Sequence, residues 1–149
     1  MSPHTRHTII PASYLILKQE NKILLIRRYN TGFEDGNYSM IAGHVDQGET
    51  FTEAIIREAK EEAGITLAPE DVRVVHMMHR KSHVDAEERI DAYFLAETWS
   101  GNLENKEPHK CDDFSWFPID ELPPNIIPYI KTVIEHVKKN TFYSELGWK

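Results

Sequence analysis

Glu58, Glu61 and Glu62 stand at i, i+3 and i+4 in the run Arg57-Glu58-Ala59-Lys60-Glu61-Glu62. If the run is helical, that spacing puts three carboxylates on one face. Like charges so placed repel, and something positive must offset them. Clustered carboxylate oxygens are the ligands that hard divalent ions such as Mg2+ or Mn2+ prefer. A lone run of this kind is most often a solvated helix face. Here Gly43, Gly48 and Glu49 precede it, so a glycine-containing turn delivers the chain into the acidic stretch. Arg57 adds a cation able to hold Glu49 or a phosphate oxygen in a bidentate grip.

The element that must position these groups has readable ends. Thr50 suits an N-cap, Glu53 completes a capping box three residues on, and Gly64 suits the left-handed position after the helix. Between them Phe51, Ala54, Ile55 and Ala59 recur at three- and four-residue spacing and form one apolar stripe.

The spacing from Gly43 through Glu49 to Arg57-Glu58-Ala59-Lys60-Glu61-Glu62-Ala63-Gly64-Ile65 resembles the Nudix box of the Nudix hydrolases. Two departures stand out. Ala59 replaces a larger aliphatic residue, and Ile41-Ala42-Gly43 stands where relatives usually have Pro-Gly-Gly. The resemblance implies an α/β (α+β) fold, the Nudix-type α/β/α sandwich with a mixed sheet. It implies Glu58 and Glu62 as metal ligands, Glu61 as ligand or water-activating base, and Glu49 as the group that orients Arg57. The carbonyl of Ala42 would be a further ligand, since any residue supplies one. Glu107 lies where some relatives place another catalytic glutamate, with a solvated loop residue as the alternative and Asp112 or Asp113 as competitors.

Arg27 and Arg28 end a strand, where a solvent-facing pair is common, but in the MutT-like branch an arginine here resembles a phosphate contact. His44, His79 and His83 are either phosphate contacts or surface residues. Asn125, in Leu122-Pro123-Pro124-Asn125, resembles a MutT-type base-reading asparagine and otherwise reads as a helix N-cap. The implied activity is Mg2+-dependent (Mn2+ as alternative) cleavage of a (d)NTP to NMP and pyrophosphate. Nucleotide sugars, dinucleoside polyphosphates, 5′-triphosphate RNA and a non-catalytic nucleotide-sensing module are the other readings. The absence of a proline in 79–83 argues weakly against ADP-ribose hydrolases, and the missing SQPWPFPxS signature argues likewise against NADH pyrophosphatases.

Alternation and turn residues place the remaining elements. Residues 9–17 and 23–28 read as a hairpin, and 29–37 as a loop at the mouth of the site. Residues 72–78, 89–99 and 113–117 read as strands, and 79–88 as a polar loop. A last helix runs over about 126–139. Tyr38, Tyr93, Phe94 and Trp116 read as core. The aromatic tail, with Phe142, Tyr143 and Trp148, is expected to pack on the domain or on a partner subunit.

A chain of 149 residues suits one domain over 1–149. Its formal charge of −7 argues against non-specific nucleic-acid or anionic-membrane binding, so a polyphosphate would need local cations. One cysteine, Cys111, excludes an intrachain disulfide and suggests a reducing compartment. No apolar run is long enough for a membrane span, and the N-terminus lacks the pattern of a signal peptide. The expectation is a cytoplasmic monomer or homodimer acting on a small nucleotide.

Overall fold

The computed structural model describes residues 5–149. Strand β1 (Ile10–Gln19) is buried on both faces and runs through the centre of the molecule. One edge pairs in parallel with β6 (Glu88–Ala96) over its length. The other edge is shared. Residues 12–15 pair with β4 (Ile41–His44), and residues 18–19 turn into β2 (Lys22–Arg28). Strand β2 in turn pairs with β3 (Tyr38–Ser39) and β7 (Cys111–Pro118). Beyond β6 lie β5 (Val72–Lys81), antiparallel to it, and β8 (Tyr143–Leu146), parallel to β5. Parallel and antiparallel ladders therefore coexist in one mixed sheet.

Each face of the sheet is closed by one helix, because alternate residues of β1 point to opposite sides. Tyr14 and Ile16 meet Ile130, Val133 and Ile134 of α2 (Pro128–Lys138). Leu15 and Leu17 belong with Ile55, Ala59 and Ala63 of α1 (Phe51–Ala63). The result is an α/β/α sandwich. Tyr38, Tyr93 and Phe94 are buried as expected, and Trp116 packs on the α1 side. No helix among the described residues is long and apolar enough to cross a membrane.

Three expectations need correction. The stretch 79–88 is not all loop: β5 continues to Lys81 and β6 begins at Glu88, leaving a six-position connection. His79, Arg80 and Lys81 are consecutive polar residues on both faces of the strand, which conceals its end from a hydrophobicity reading. The last helix starts at Pro128, whose fixed φ suits the first helical position. Its N-cap is Ile127, so Asn125 is no cap. The aromatic tail takes the first of its two expected places, its own domain, as β8 against β5.

Candidate active site

Helix α1 has the ends its residues specify. Thr50 Oγ1 accepts from the Glu53 amide at 3.0 Å, Glu53 Oε1 accepts from the Thr50 amide at 2.9 Å, and Gly64 closes the helix at φ 70°. The loop after β6 then docks on the far end of α1. The Glu104 and Lys106 amides donate to the carbonyls of Ala63 and Glu62, at 3.0 and 3.1 Å. These carbonyls would otherwise lack partners at the helix terminus. The same docking brings Glu107, held by its amide to Asn105 Oδ1, beside the acidic face of α1.

Arg57 organises that face. Its guanidinium grips Glu49 through Nε and Nη2 at 2.7 and 3.0 Å, and donates to Glu58 Oε2 at 2.8 Å and Glu61 Oε1 at 3.3 Å. It also reaches the His44 carbonyl at 3.1 Å. The Glu49 hydrogen bonds, above all, hold the Arg57 charge fixed and in return lower the Glu49 pKa. Gly43 is needed for a steric reason. The Glu58 carboxylate lies where a Cβ on residue 43 would sit, so the backbone of β4 and the carboxylate approach closely only because a side chain is missing.

Glu62 differs from its neighbours. Burial raises its pKa, and the hydrogen bond and negative charge of Glu58, then the charge of Glu107, raise it further. The Ala42 amide alone works the other way. Glu58, Glu62 and Glu107 thus press negative charge into one half-buried spot, the electrostatic demand a divalent cation meets. These groups fit a hard metal, although no three His, Cys, Asp or Glu side chains among the described residues are drawn into a closed ligand set. Arg57 occupies part of Glu58 and Glu61 instead.

A cleft of about 650 Å³ opens beside this cluster, lined by Glu58, Glu61, Glu62 and Glu107 and by Arg27, Arg28 and Lys110, among others. The carboxylates and arginines singled out in the sequence therefore converge, together with Ala42 and His44. Asp112 and Asp113 do not join them. Asp112 pairs with Arg27 at 2.7 Å, and Asp113 accepts from the hydroxyls of Tyr38 and Ser115. Asn125 donates to the Gly36 carbonyl at 2.8 Å and so braces the 29–37 loop instead of lining the cleft. His79 packs against the Trp148 ring at a tilt of 48°, centroids 4.7 Å apart.

Sequence reasoning missed a second cavity of about 360 Å³, which shares Arg28, Ala42, Gly43 and His44 with the first. Its remaining wall includes Tyr14, Arg80, Arg89 and Tyr129. Arg80 lies 3.0 Å from Asp91, its guanidinium 4.0 Å from the centre of the Tyr129 ring. The available signal was the pair of charged residues Arg89 and Asp91, two apart at the start of β6 and so on one face of it, with Arg80 near the end of β5.

The model of the NUDIX domain matches residues 8–137. The chain belongs to the Nudix hydrolase family. An ADP-ribose pyrophosphatase of Methanocaldococcus jannaschii is 32% identical over 126 residues, covering 83% of this chain and 70% of that protein. The NAD-capped RNA hydrolase NudC of Vibrio parahaemolyticus is 31% identical over 116 residues, 78% of this chain but 41% of its own length. The chain thus spans under half of that longer relative. Among solved structures, a MutT NUDIX hydrolase from Burkholderia pseudomallei superposes with a TM-score of 0.79 at 25% identity, covering 87% of this chain and 98% of that one. This Nudix chain carries its box on α1 and the preceding loop, with the cleft on the carboxylate side.

Proposed function

We propose that this chain is a Mg2+-dependent pyrophosphohydrolase of nucleoside diphosphate derivatives. The observation that carries the reading is the convergence of Glu58, Glu61, Glu62 and Glu107 on one cleft that Arg27, Arg28 and Lys110 also line. Glu58, Glu62, Glu107 and the Ala42 carbonyl would hold the metal. When bound, Mg2+ neutralises phosphate charge and lowers the pKa of a coordinated water. Arg57, fixed by Glu49, sets the direction of the Glu58 carboxylate. Glu61, exposed at the rim, takes the proton of the attacking water. That water adds to one phosphorus of the P–O–P bridge, the bridging P–O bond breaks, and two phosphate monoesters leave. Arg27, Arg28 and Lys110 supply positive charge for the phosphate oxygens.

A (d)NTP is the second reading, favoured by the close superposition on a MutT structure. Its weak point is Asn125, whose amide is engaged with Gly36 and not with the cleft. The deciding experiment is a product assay with Mg2+ over ADP-ribose, dinucleotides, nucleotide sugars and canonical and oxidised (d)NTPs. Monophosphate release from diphosphate derivatives supports the first reading. Preferential pyrophosphate release from triphosphates supports the second. Ligand binding without product from any compound, at high protein concentration, would make the chain a sensor.

A further inference from the structure

Glu107 comes to the acidic face of α1 from outside the box, on the connection between β6 and β7. Its neighbours Lys106, Pro108, His109 and Lys110 are all exposed. An exposed connection ordinarily leaves a carboxylate free to wander, because ordering its backbone costs entropy. This one is also held where its negative charge opposes that of Glu62. Like charges separate unless something fixes them.

Both main-chain groups of Glu107 are engaged. Its carbonyl accepts from the Lys110 and Cys111 amides at 2.9 and 3.1 Å. Its amide donates to Asn105 Oδ1 at 3.0 Å, closing a turn of the kind asparagine favours. The other end of the same side chain reaches further. Asn105 Nδ2 donates to the Cys111 carbonyl at 2.7 Å. Cys111 is buried and opens β7, paired with Arg28 of β2. On either side of Asn105, the Glu104 and Lys106 amides are fixed on the last turn of α1. One planar amide thus links the end of the box helix, the Glu107 backbone and the first residue of β7.

That bridge needs an acceptor and a donor on one short side chain, which an asparagine amide supplies. Aspartate would lose the donor and leave the Cys111 carbonyl without it. A serine hydroxyl reaches the near amide but is too short to span to Cys111. Asn105 also lines the cleft, yet both polar ends of its amide are spent on backbone, so its action passes through Glu107.

We infer that Asn105 is a positioning residue, whose amide ties Glu107 to the start of β7 and so sets the fourth carboxylate of the cleft for a divalent cation. The inference rests on the proposed reading of Glu107 as a metal-holding group and names what holds it in place.

The test is a double-mutant cycle read as Mn2+ affinity without substrate, by electron paramagnetic resonance of the free ion. Mn2+ stands in for Mg2+ as a hard ion that takes the same oxygen ligands. Asn105→Ala should weaken binding roughly tenfold, the scale of losing a group that orients a ligand, and Glu107→Gln at least as much. The double variant should bind no more weakly than Glu107→Gln alone, because Asn105 then has nothing to place. Asn105→Ser, which keeps an acceptor for the Glu107 amide, should recover part of the loss. Circular dichroism checks that each variant is folded; if Asn105→Ala is not, Asn105→Ser carries the same cycle. Unchanged affinity in either single variant, losses that multiply in the double variant, or no recovery by serine would overturn the positioning role. Failure of the hydrolase reading registers separately, as absence of monophosphate from any diphosphate compound by a chain whose Mn2+ affinity still shows the coupling.

Discussion

Arg57 and Gly43 do at the residue scale what the acidic cluster alone cannot. Three carboxylates on one helical face repel, and Arg57 resolves part of that by pairing with Glu49, Glu58 and Glu61. The uncompensated remainder lies at Glu62 beside Glu107. Glu58→Gln and Glu62→Gln should each cut kcat by at least roughly 10²-fold, the scale of losing one electrostatic stabiliser, with circular dichroism unchanged. Wild-type turnover in either variant would remove that residue from the mechanism. Gly43→Ala tests the steric argument, since a methyl group there must displace the Glu58 carboxylate. Its kcat should also fall, by on the order of tenfold or more, without loss of secondary structure. An unchanged kcat would mean that the Glu58 position is not critical.

Elements set what these residues can reach. The capping box and the Gly64 terminus fix where α1 begins and ends, and so which side chains face β4 and the cleft. Thr50→Ala should cost about 1 kcal/mol in chemical denaturation. Strand β8 carries a pH dependence of its own. Burial lowers the pKa of His76, an effect that His136 reinforces and the Thr141 carbonyl partly opposes. The folded state therefore binds this proton less readily than the unfolded one. The contribution of His76 is complete above its unfolded pKa, about 6.5, and is lost as pH falls from there toward the folded value. Amide hydrogen exchange of residues 143–146 should accelerate, relative to that of β1, as pH drops below about 6.5. Constant relative protection across that range would remove His76 as the anchor of the tail.

At the scale of the whole molecule, the sheet separates two cores and α1 is pinned between one of them and the cleft. Ile130 is fully buried in the other core, so Ile130→Ala should destabilise by roughly 2–5 kcal/mol. Turnover per folded molecule should hold, because Ile130 itself does not line the cleft. A net charge of −7 makes divalent binding favourable over the surface, but linkage isolates the specific site. Chelation should abolish turnover without unfolding the chain, and Mg2+ at a hundred times its Kd should add about 2.7 kcal/mol of stability. In Glu62→Gln that increment should shrink. An equal increment in the variant would place the bound ion elsewhere.

The box helix, its caps, the carboxylate face and the hairpin before it were all legible from residue spacing, because each depends on neighbours within one or two turns of chain. Arg27, Arg28, Glu107 and His44 were legible as candidates, but their convergence was not, since loop docking onto Ala63 and Glu62 brings Glu107 in from more than forty residues away. Asn125 shows the limit: the same residue reads as base contact or cap in sequence, and only the fold gives its amide to Gly36. Likewise the register of β5 against β6 and of β8 against β5 turned an apparent loop and an aromatic tail into paired strands of the sheet. Local order follows from short-range geometry, whereas the shape of the cleft is decided by pairings between distant strands.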